Sequence, residues 1–145
     1  MASLLSVCQN CEALNRIDST KALTQAPVCG KCGTKIPMHA LVTEVSATGL
    51  KKILAKADQP VIVDFWATWC APCKMYSPIF ERASLKNTGA IFLAINTEAN
   101  PQISTELGIL GIPTTMVFKG NREIRREAGV IPEEMIPLLL QSSGI

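Results

Sequence analysis

Two hydrophobic patterns alternate along the chain from residue 41 onward. Short apolar runs of four to seven residues are typical of buried strands, whereas apolar residues at helical spacing indicate amphipathic helices. Strands are predicted at 41–47, 61–66, 90–96, 114–119 and 122–128, and helices at 48–57, 72–86, 101–107 and 132–142. This order predicts parallel crossover units followed by an antiparallel hairpin, and therefore an α/β fold with a mixed central sheet flanked by helices on both faces. The charges of 122–128 place that strand at a sheet edge.

Residues 1–38 differ from the rest of the chain in composition and in hydrophobic pattern. They hold four of the six cysteines and show no sustained apolar periodicity. A segment of this kind cannot form its own core and needs covalent cross-links or a bound metal ion to stabilise it. We therefore predict an extension over 1–38 and a main domain over 39–145, with His39, the only histidine, at the surface or at the boundary.

Composition narrows the class of protein. The 145 residues are 48% hydrophobic and 18% charged with a net charge of +2, which fits one folded domain with a small appendage. Because there is no basic cluster and few aromatic residues, a nucleic-acid partner is not expected. No apolar run is long enough to span a membrane, and the start "MASLLSVC" lacks the features of a secretory signal. A cytoplasmic location is predicted.

All six cysteines fall into three Cys-x-x-Cys pairs, which in a reducing compartment indicate metal binding or redox catalysis. The first two pairs, separated by seventeen residues, have the spacing of a four-thiolate zinc site with a structural role. Gly30 and Gly33 are predicted to permit the bends around that site. The candidate ligands are Cys8, Cys11, Cys29 and Cys32. An iron–sulfur cluster, two local disulfides and a set of redox-sensing thiols remain as alternatives.

The third pair, Cys70 and Cys73, begins a predicted helix. Backbone N–H groups and the helix dipole at that end stabilise a thiolate, so Cys70 is the predicted nucleophile and Cys73 the resolving thiol. Asp64 lies in the apolar run just before them. Burial would raise the pKa of its carboxyl group towards neutrality, which suits a proton shuttle for Cys73. The alternative is a solvent-facing or helix-capping aspartate at the end of the strand.

The segments "DFWATWCAPCK" and "GIPTTMVFKG" resemble the active-site and cis-proline segments of thioredoxins, and the resemblance runs from about Leu41 to Ile145. It implies the thioredoxin fold, with Cys70, Cys73 and Asp64 in the roles given above and a cis bond at Pro113. It also implies a substrate surface formed by Trp69, Ala71, Pro72, Ile112, Pro113 and Gly129. The sequence departs from the family at Ala71, where glycine is usual, and at Ala94, where many members have lysine.

The amino-terminal segment resembles a smaller group within that family. "CQNCEALNRI", "CGKCG" and "INTEA" are similar to the zinc-binding bacterial thioredoxin-2 group. The resemblance implies zinc bound by the four amino-terminal cysteines, in an extension similar to a zinc ribbon.

These observations predict a thiol–disulfide oxidoreductase that reduces protein disulfides. The resemblance implies disulfide-containing client proteins and an NADPH-dependent thioredoxin reductase as partners, with no organic cofactor bound to this chain and a monomeric state. Two alternatives remain: a disulfide isomerase or oxidant, suggested by Ala71, and a zinc-stapled protein-binding module.

The absence of a cation at Ala94 yields a test. Without a nearby lysine, Asp64 should titrate at a higher pH, so Ala94→Lys should lower the acidic inflection of the pH–rate profile by about one unit or more. Disulfide reduction measured as a function of pH checks this. An unchanged inflection would contradict the expected role of Asp64.

Overall fold

The computed structural model describes residues 3–142. Residues 1–2 of the predicted extension and residues 143–145 of the predicted main domain lie outside the described residues. The strands are β1 (Ser3–Val7), β2 (Leu14–Asp18), β3 (Met38–His39), β4 (Val42–Glu44), β5 (Val61–Trp66), β6 (Ile91–Asn96), β7 (Thr114–Lys119) and β8 (Arg122–Ala128). The helices are α1 (Ser19–Ala22), α2 (Ala47–Lys56), α3 (Ala71–Lys86), α4 (Pro101–Leu107) and α5 (Met135–Gln141).

A mixed six-stranded sheet in the order β3-β4-β6-β5-β7-β8 forms the centre of the molecule. β4, β6 and β5 are parallel, whereas β7 and β8 are antiparallel to their neighbours. The predicted mixed sheet is therefore confirmed, and the charged strand β8 lies at an edge as expected. The antiparallel pairing of β7 with β5 did not follow from the pattern.

Helices cover both faces of this sheet, as predicted. Alternate residues of β5 point to opposite faces: Val63 packs in a cluster with residues of α2 and α4, and Ile62 packs in a cluster with residues of α3 and α5. Within residues 3–142, no helix combines the length and apolar character that a membrane crossing requires.

The final helix begins later than the apolar pattern predicts. α5 starts at Met135 rather than at Pro132, so Pro137 lies in its first turn. The first-turn N–H groups have no partner within a helix, and proline is therefore tolerated there. This start explains a proline that would be disruptive in the middle of the predicted helix.

The amino-terminal extension contains a hairpin that the sequence did not predict. β1 and β2 pair antiparallel, and both faces of β1 are buried. Leu4 packs with Ile17 in a small cluster, whereas Leu5 and Val7 join the main core on the α2 side. The pattern missed this because β1 is short and its apolar partners are distant in sequence. The extension therefore completes the core of the main domain.

This shared core predicts a single unfolding unit. Leu5→Ala should lower the free energy of unfolding of the whole chain by about 2–5 kcal/mol, because Leu5 is buried against residues of the main domain. Leu23→Ala, at an exposed position of the same extension, is the matched control and should change it by less than about 1 kcal/mol. Denaturant titration followed by fluorescence and circular dichroism measures both. A transition of the main domain that Leu5→Ala leaves unchanged would contradict the shared core.

Candidate functional site

The Cys70–Cys73 pair lies at the start of α3. Cys70 is the N-cap residue, and the backbone N–H of Cys73 donates a hydrogen bond to Cys70 Sγ at 3.2 Å. The two residues form a disulfide with a Cα–Cα distance of 5.3 Å. When the pair is reduced, this N–H and the helix dipole would stabilise a Cys70 thiolate. Local sequence dictates the arrangement, since Pro72 at the second helical position has no N–H to leave unpaired.

A second segment contacts Cys70, and a third is hydrogen-bonded to that second segment. The Ile112–Pro113 peptide bond is cis, as the resemblance implied, and Cys70 Sγ lies 3.7 Å from the carbonyl oxygen of Ile112. The N–H of Gly129 donates to the carbonyl oxygen of Pro113 at 2.7 Å. Gly129 has φ +88°, a conformation that strongly favours glycine. Cys70 thus lies beside Ile112, and Gly129 beside Pro113, although these residues are far apart in sequence.

Exposed apolar side chains occur in each of these three segments. Trp69 is 70% exposed, and Ala71 and Pro72 beside it are exposed too. The sequence reasoning missed three further exposed apolar residues of these segments: Met75, Leu110 and Val130. Their closeness in sequence to the site residues was the available signal. Contiguous exposed apolar side chains are typical of surfaces that bind other proteins, and Trp69, Ala71 and Pro72 are close neighbours in the chain.

The loop before Cys70 is fixed by a hydrogen bond to the loop after β6. The backbone N–H and the hydroxyl of Thr68 both donate to Glu98 Oε1 at 2.5 Å. The two bonds lower the pKa of Glu98. The segment "INTEA", noticed in the sequence only as a resemblance, therefore has a structural role in holding the loop that carries Trp69.

Asp64 lies on the face of the sheet that α3 covers. It is 2% exposed and shares this face with Ile62, which packs with Tyr76 and Phe80 of α3. Cys73 is buried and precedes Tyr76 by three residues, so it lies on the same side of α3. The alternative of a solvent-facing Asp64 is wrong, because tertiary packing of α3 closes over the strand.

The environment of Asp64 favours its protonated form. Burial raises the pKa of Asp64 to about 8, and the negative charge of Glu44 adds to this effect. Asp64 Oδ1 has no hydrogen-bond partner among the described residues. Burial also raises the pKa of Glu44 to about 7, and the nearby Trp66 indole lowers this pKa by a smaller amount. The sequence reasoning found Asp64 but did not find Glu44.

The four amino-terminal cysteines are held by two loops with the same hydrogen-bond pattern. In each loop, the residue after the second cysteine donates its N–H to the carbonyl of the first cysteine: Glu12 to Cys8 at 2.8 Å, and Gly33 to Cys29 at 2.9 Å. Both donors have positive φ, 63° for Glu12 and 79° for Gly33. The predicted role of Gly33 is explained, but Gly30 is not among the residues with positive φ.

The four sulfur atoms of these cysteines lie close together. All four Sγ atoms lie within 4.8 Å of one another, and the Cys8–Cys32 and Cys11–Cys29 pairs are 3.6 Å apart. Zinc–thiolate bonds of about 2.3 Å in a tetrahedron place the sulfur atoms about 3.8 Å apart. The four cysteines are therefore close enough to bind one metal ion.

The electrostatics of this cluster are consistent with a bound cation. Hydrogen bonds led by that with the Thr34 hydroxyl lower the pKa of Cys32 to about 5, and hydrogen bonds led by that with the Asn15 amide lower the pKa of Cys29 to about 7. At Cys11, a hydrogen bond with the Ala13 backbone lowers the pKa, but burial and the three neighbouring thiols outweigh it and raise the pKa to about 11. Four adjacent thiolates would repel one another, and a divalent cation removes that repulsion.

Comparison with known proteins agrees with this geometry. The thioredoxin family model matches residues 41–141. Thioredoxin C-3 of Corynebacterium nephridii is 33% identical over 129 residues, covering 88% of this chain and 87% of that protein. This match is longer than the stretch from residue 41 to the carboxyl terminus, so it extends into the amino-terminal segment. Thioredoxin 1 of Nostoc sp. (strain PCC 7120 / SAG 25.82 / UTEX 2576) is 35% identical over 99 residues, covering 68% of this chain and 92% of that protein.

Among solved structures, the thioredoxin of Malassezia sympodialis (Mala s 13) is similar with a TM-score of 0.64 and 32% identity. It covers 74% of this chain and 98% of that structure. The fold and the dithiol at the start of α3 together define a thiol–disulfide oxidoreductase of the thioredoxin fold. The chain belongs to the thioredoxin family.

The buried carboxyl group predicts an unusual dependence of stability on pH. Because the pKa of Asp64 is about 8 when folded and near 3.8 when exposed, the folded state binds the extra proton between these values. The free energy of unfolding should therefore fall as pH rises from about 4 to about 8. Asp64→Asn should remove the larger part of this dependence, leaving the smaller part that comes from the raised pKa of Glu44, and should exceed the wild type in stability by up to about 5 kcal/mol at pH 9.

Denaturant titrations from pH 4 to pH 9 measure the effect. Asp58→Asn, which changes an exposed acid just before β5, serves as the control and should follow the wild-type curve. A stability difference between Asp64→Asn and the wild type that is the same at every pH would show that the carboxyl group does not titrate as described.

Proposed function

We propose that this thioredoxin-family oxidoreductase works as a reductant of disulfides in client proteins, through Cys70 and Cys73. The observation that carries the proposal is the placement of both cysteines in the first turn of α3, with Asp64 on the sheet face beneath that helix. A thiolate-stabilising helix end beside a carboxyl group that titrates near neutral pH supplies both the nucleophile and the proton acceptor.

Reduction would proceed in two exchanges. The Cys70 thiolate attacks one sulfur of the client disulfide, a mixed disulfide forms, and the other client sulfur leaves as a thiolate that takes a proton from water. Cys73 then transfers its proton to Asp64 and attacks Cys70 Sγ. The Cys70–Cys73 disulfide forms and the second client thiolate leaves. The dithiol is oxidised, and the client disulfide is reduced to two thiols.

The client surface in this proposal surrounds Cys70. An extended client segment would lie along the Ile112 carbonyl and Pro113, with Gly129 leaving room for its backbone and Trp69 contacting apolar side chains. Ala71 and Pro72, exposed at the start of α3, would form the remaining edge. The same surface would receive an NADPH-dependent thioredoxin reductase, which restores the dithiol. A monomer in the reducing cytoplasm suits such alternating contacts.

We also propose that the four amino-terminal cysteines bind one zinc ion, with residues 1–38 forming the extension that it holds together. Four protein ligands leave no coordination position for substrate, so bound zinc would supply structural cross-linking and no catalysis. The support is the fit of the sulfur distances and the lowered pKa values of Cys29 and Cys32.

Ala71 suggests an alternative function, in which the dithiol oxidises or isomerises client disulfides instead of reducing them. It lies between the two cysteines at the first position of α3, where substitution influences the thiolate and hence the redox potential. A more oxidising potential would favour isomerisation or oxidation of clients.

The order of the two exchanges can be tested by trapping. Cys73→Ser should attack clients through Cys70 and remain linked to them, because the resolving thiol is lost. Cys70→Ser should neither reduce nor retain clients. Incubation with a disulfide-containing protein, followed by non-reducing electrophoresis, distinguishes the two variants. Undiminished multiple turnover by Cys73→Ser would contradict the proposal and favour a binding module.

The zinc proposal predicts one zinc per chain by elemental analysis of the purified protein. Cys29→Ser should lower this content markedly, because Cys29 is buried in the cluster. The double variant Cys70→Ser/Cys73→Ser is the control and should retain zinc. Iron with visible absorbance, or disulfides among the four cysteines without metal, would instead support the alternatives.

A further inference from the structure

Glu44, Ala94 and Asp64 form a row across three adjacent parallel strands. Glu44 of β4 pairs in register with Ala94 of β6, which pairs in register with Asp64 of β5. Residues in register on parallel neighbours point to the same face, and two strand spacings separate the outer members by about 10 Å between Cα atoms. Because the central residue is alanine, no side chain fills the space between the two acids.

An open cleft occupies that space. It has a volume of about 210 Å³ and is lined by Glu44, Asp64 and Ala94 together with residues of β3, β5 and α3. Asp64 is buried at 2% exposure, whereas Glu44 is half-buried. Asp64 Oδ1 and the Trp66 indole N–H are both buried without a hydrogen-bond partner among the described residues. With Glu44, Asp64 and Trp66 in its lining, the cleft is partly polar, and it is large enough for several water molecules.

No lysine or arginine is among the described residues that line this cleft. The titratable groups that face it are His39 from β3 and Glu81 from α3, with Tyr76 of α3 above Asp64. Neither acid of the row therefore has a lysine or arginine partner there, and the negative charge of Glu44 raises the affinity of Asp64 for a proton. Two carboxyl groups whose charges interact in this way titrate as a coupled pair rather than independently.

We propose that Glu44 is a positioning residue for the dithiol reaction, acting through Asp64 as the outer member of a proton relay between Cys73 and solvent. When Cys73 attacks Cys70, its proton passes to the Asp64 carboxylate. Asp64 then passes a proton across the cleft to Glu44, and Glu44 releases it to water. The sulfur exchange itself is unchanged, so the relay adds only the return of Asp64 to its charged form. This inference rests on the proposed function.

Glu44→Gln tests the relay, because it keeps the shape of the side chain and removes its charge and its titration. The acidic inflection assigned to Asp64 should fall by at least about half a unit. The rate at which Cys73 resolves the mixed disulfide at pH 7 should fall at least about threefold. Glu44→Asp, which retains a carboxyl group, should restore most of both. Glu81→Gln removes a charge from the opposite wall of the same cleft and serves as the matched control.

A measurement on the wild-type protein covers the case in which Glu44→Gln does not fold. Carbon-13 NMR of the side-chain carboxyl groups should show the titrations of Glu44 and Asp64 influencing each other, each in two steps. Independent single-step titrations, or a resolution rate and inflection that Glu44→Gln leaves unchanged, would overturn the inference. If the wild type reduced no client disulfide, the proposed function would fail instead, a result that the NMR coupling does not depend on.

Discussion

The packing of α3 on the central sheet is the constraint on which the rest of the structure depends. The buried side of this helix, which includes Cys73, Tyr76 and Phe80, packs over β5 and closes above Asp64. The same packing fixes the first turn of α3 just beyond the carboxyl end of β5, beside the Ile112–Pro113 bond. One helix therefore positions Cys70, the proposed nucleophile, and buries both Cys73 and the carboxyl group proposed to accept its proton.

A carboxyl group at this buried position lowers the stability of the folded state. The presence of Asp64 there therefore points to a function and not to packing. A buried carboxyl group without a partner destabilises the folded state once it ionises, and a leucine or valine at the same place in β5 would pack better. The strong core on both sides of the sheet offsets that cost. The extension contributes to it, since Leu5 and Val7 of β1 complete the cluster on the α2 side. Hydrophobic packing on the α2 face of the sheet thus helps to offset the cost of the buried carboxyl group on the α3 face.

Local signals predicted much of this fold. The apolar runs of β5 and β7, bounded by turn residues, have the same limits in the sequence and in the structure. The dithiol and the cis bond at Pro113 were recognised from short motifs. Long-range packing was harder: β1 is stabilised by partners such as Leu41, far away in sequence. Glu44 gave no local signal, because its proximity to Asp64 arises from the strand order β4-β6-β5.

The dithiol of this thioredoxin-family chain is proposed to work as a reductant. The most direct test is the equilibrium of Cys70 and Cys73 with a glutathione buffer, measured on the metal-loaded protein. A reductant should have a reduction potential of about −270 mV, where that of thioredoxin lies. A potential near about −180 mV or higher would contradict the proposal and show that the same site favours isomerisation or oxidation of its clients.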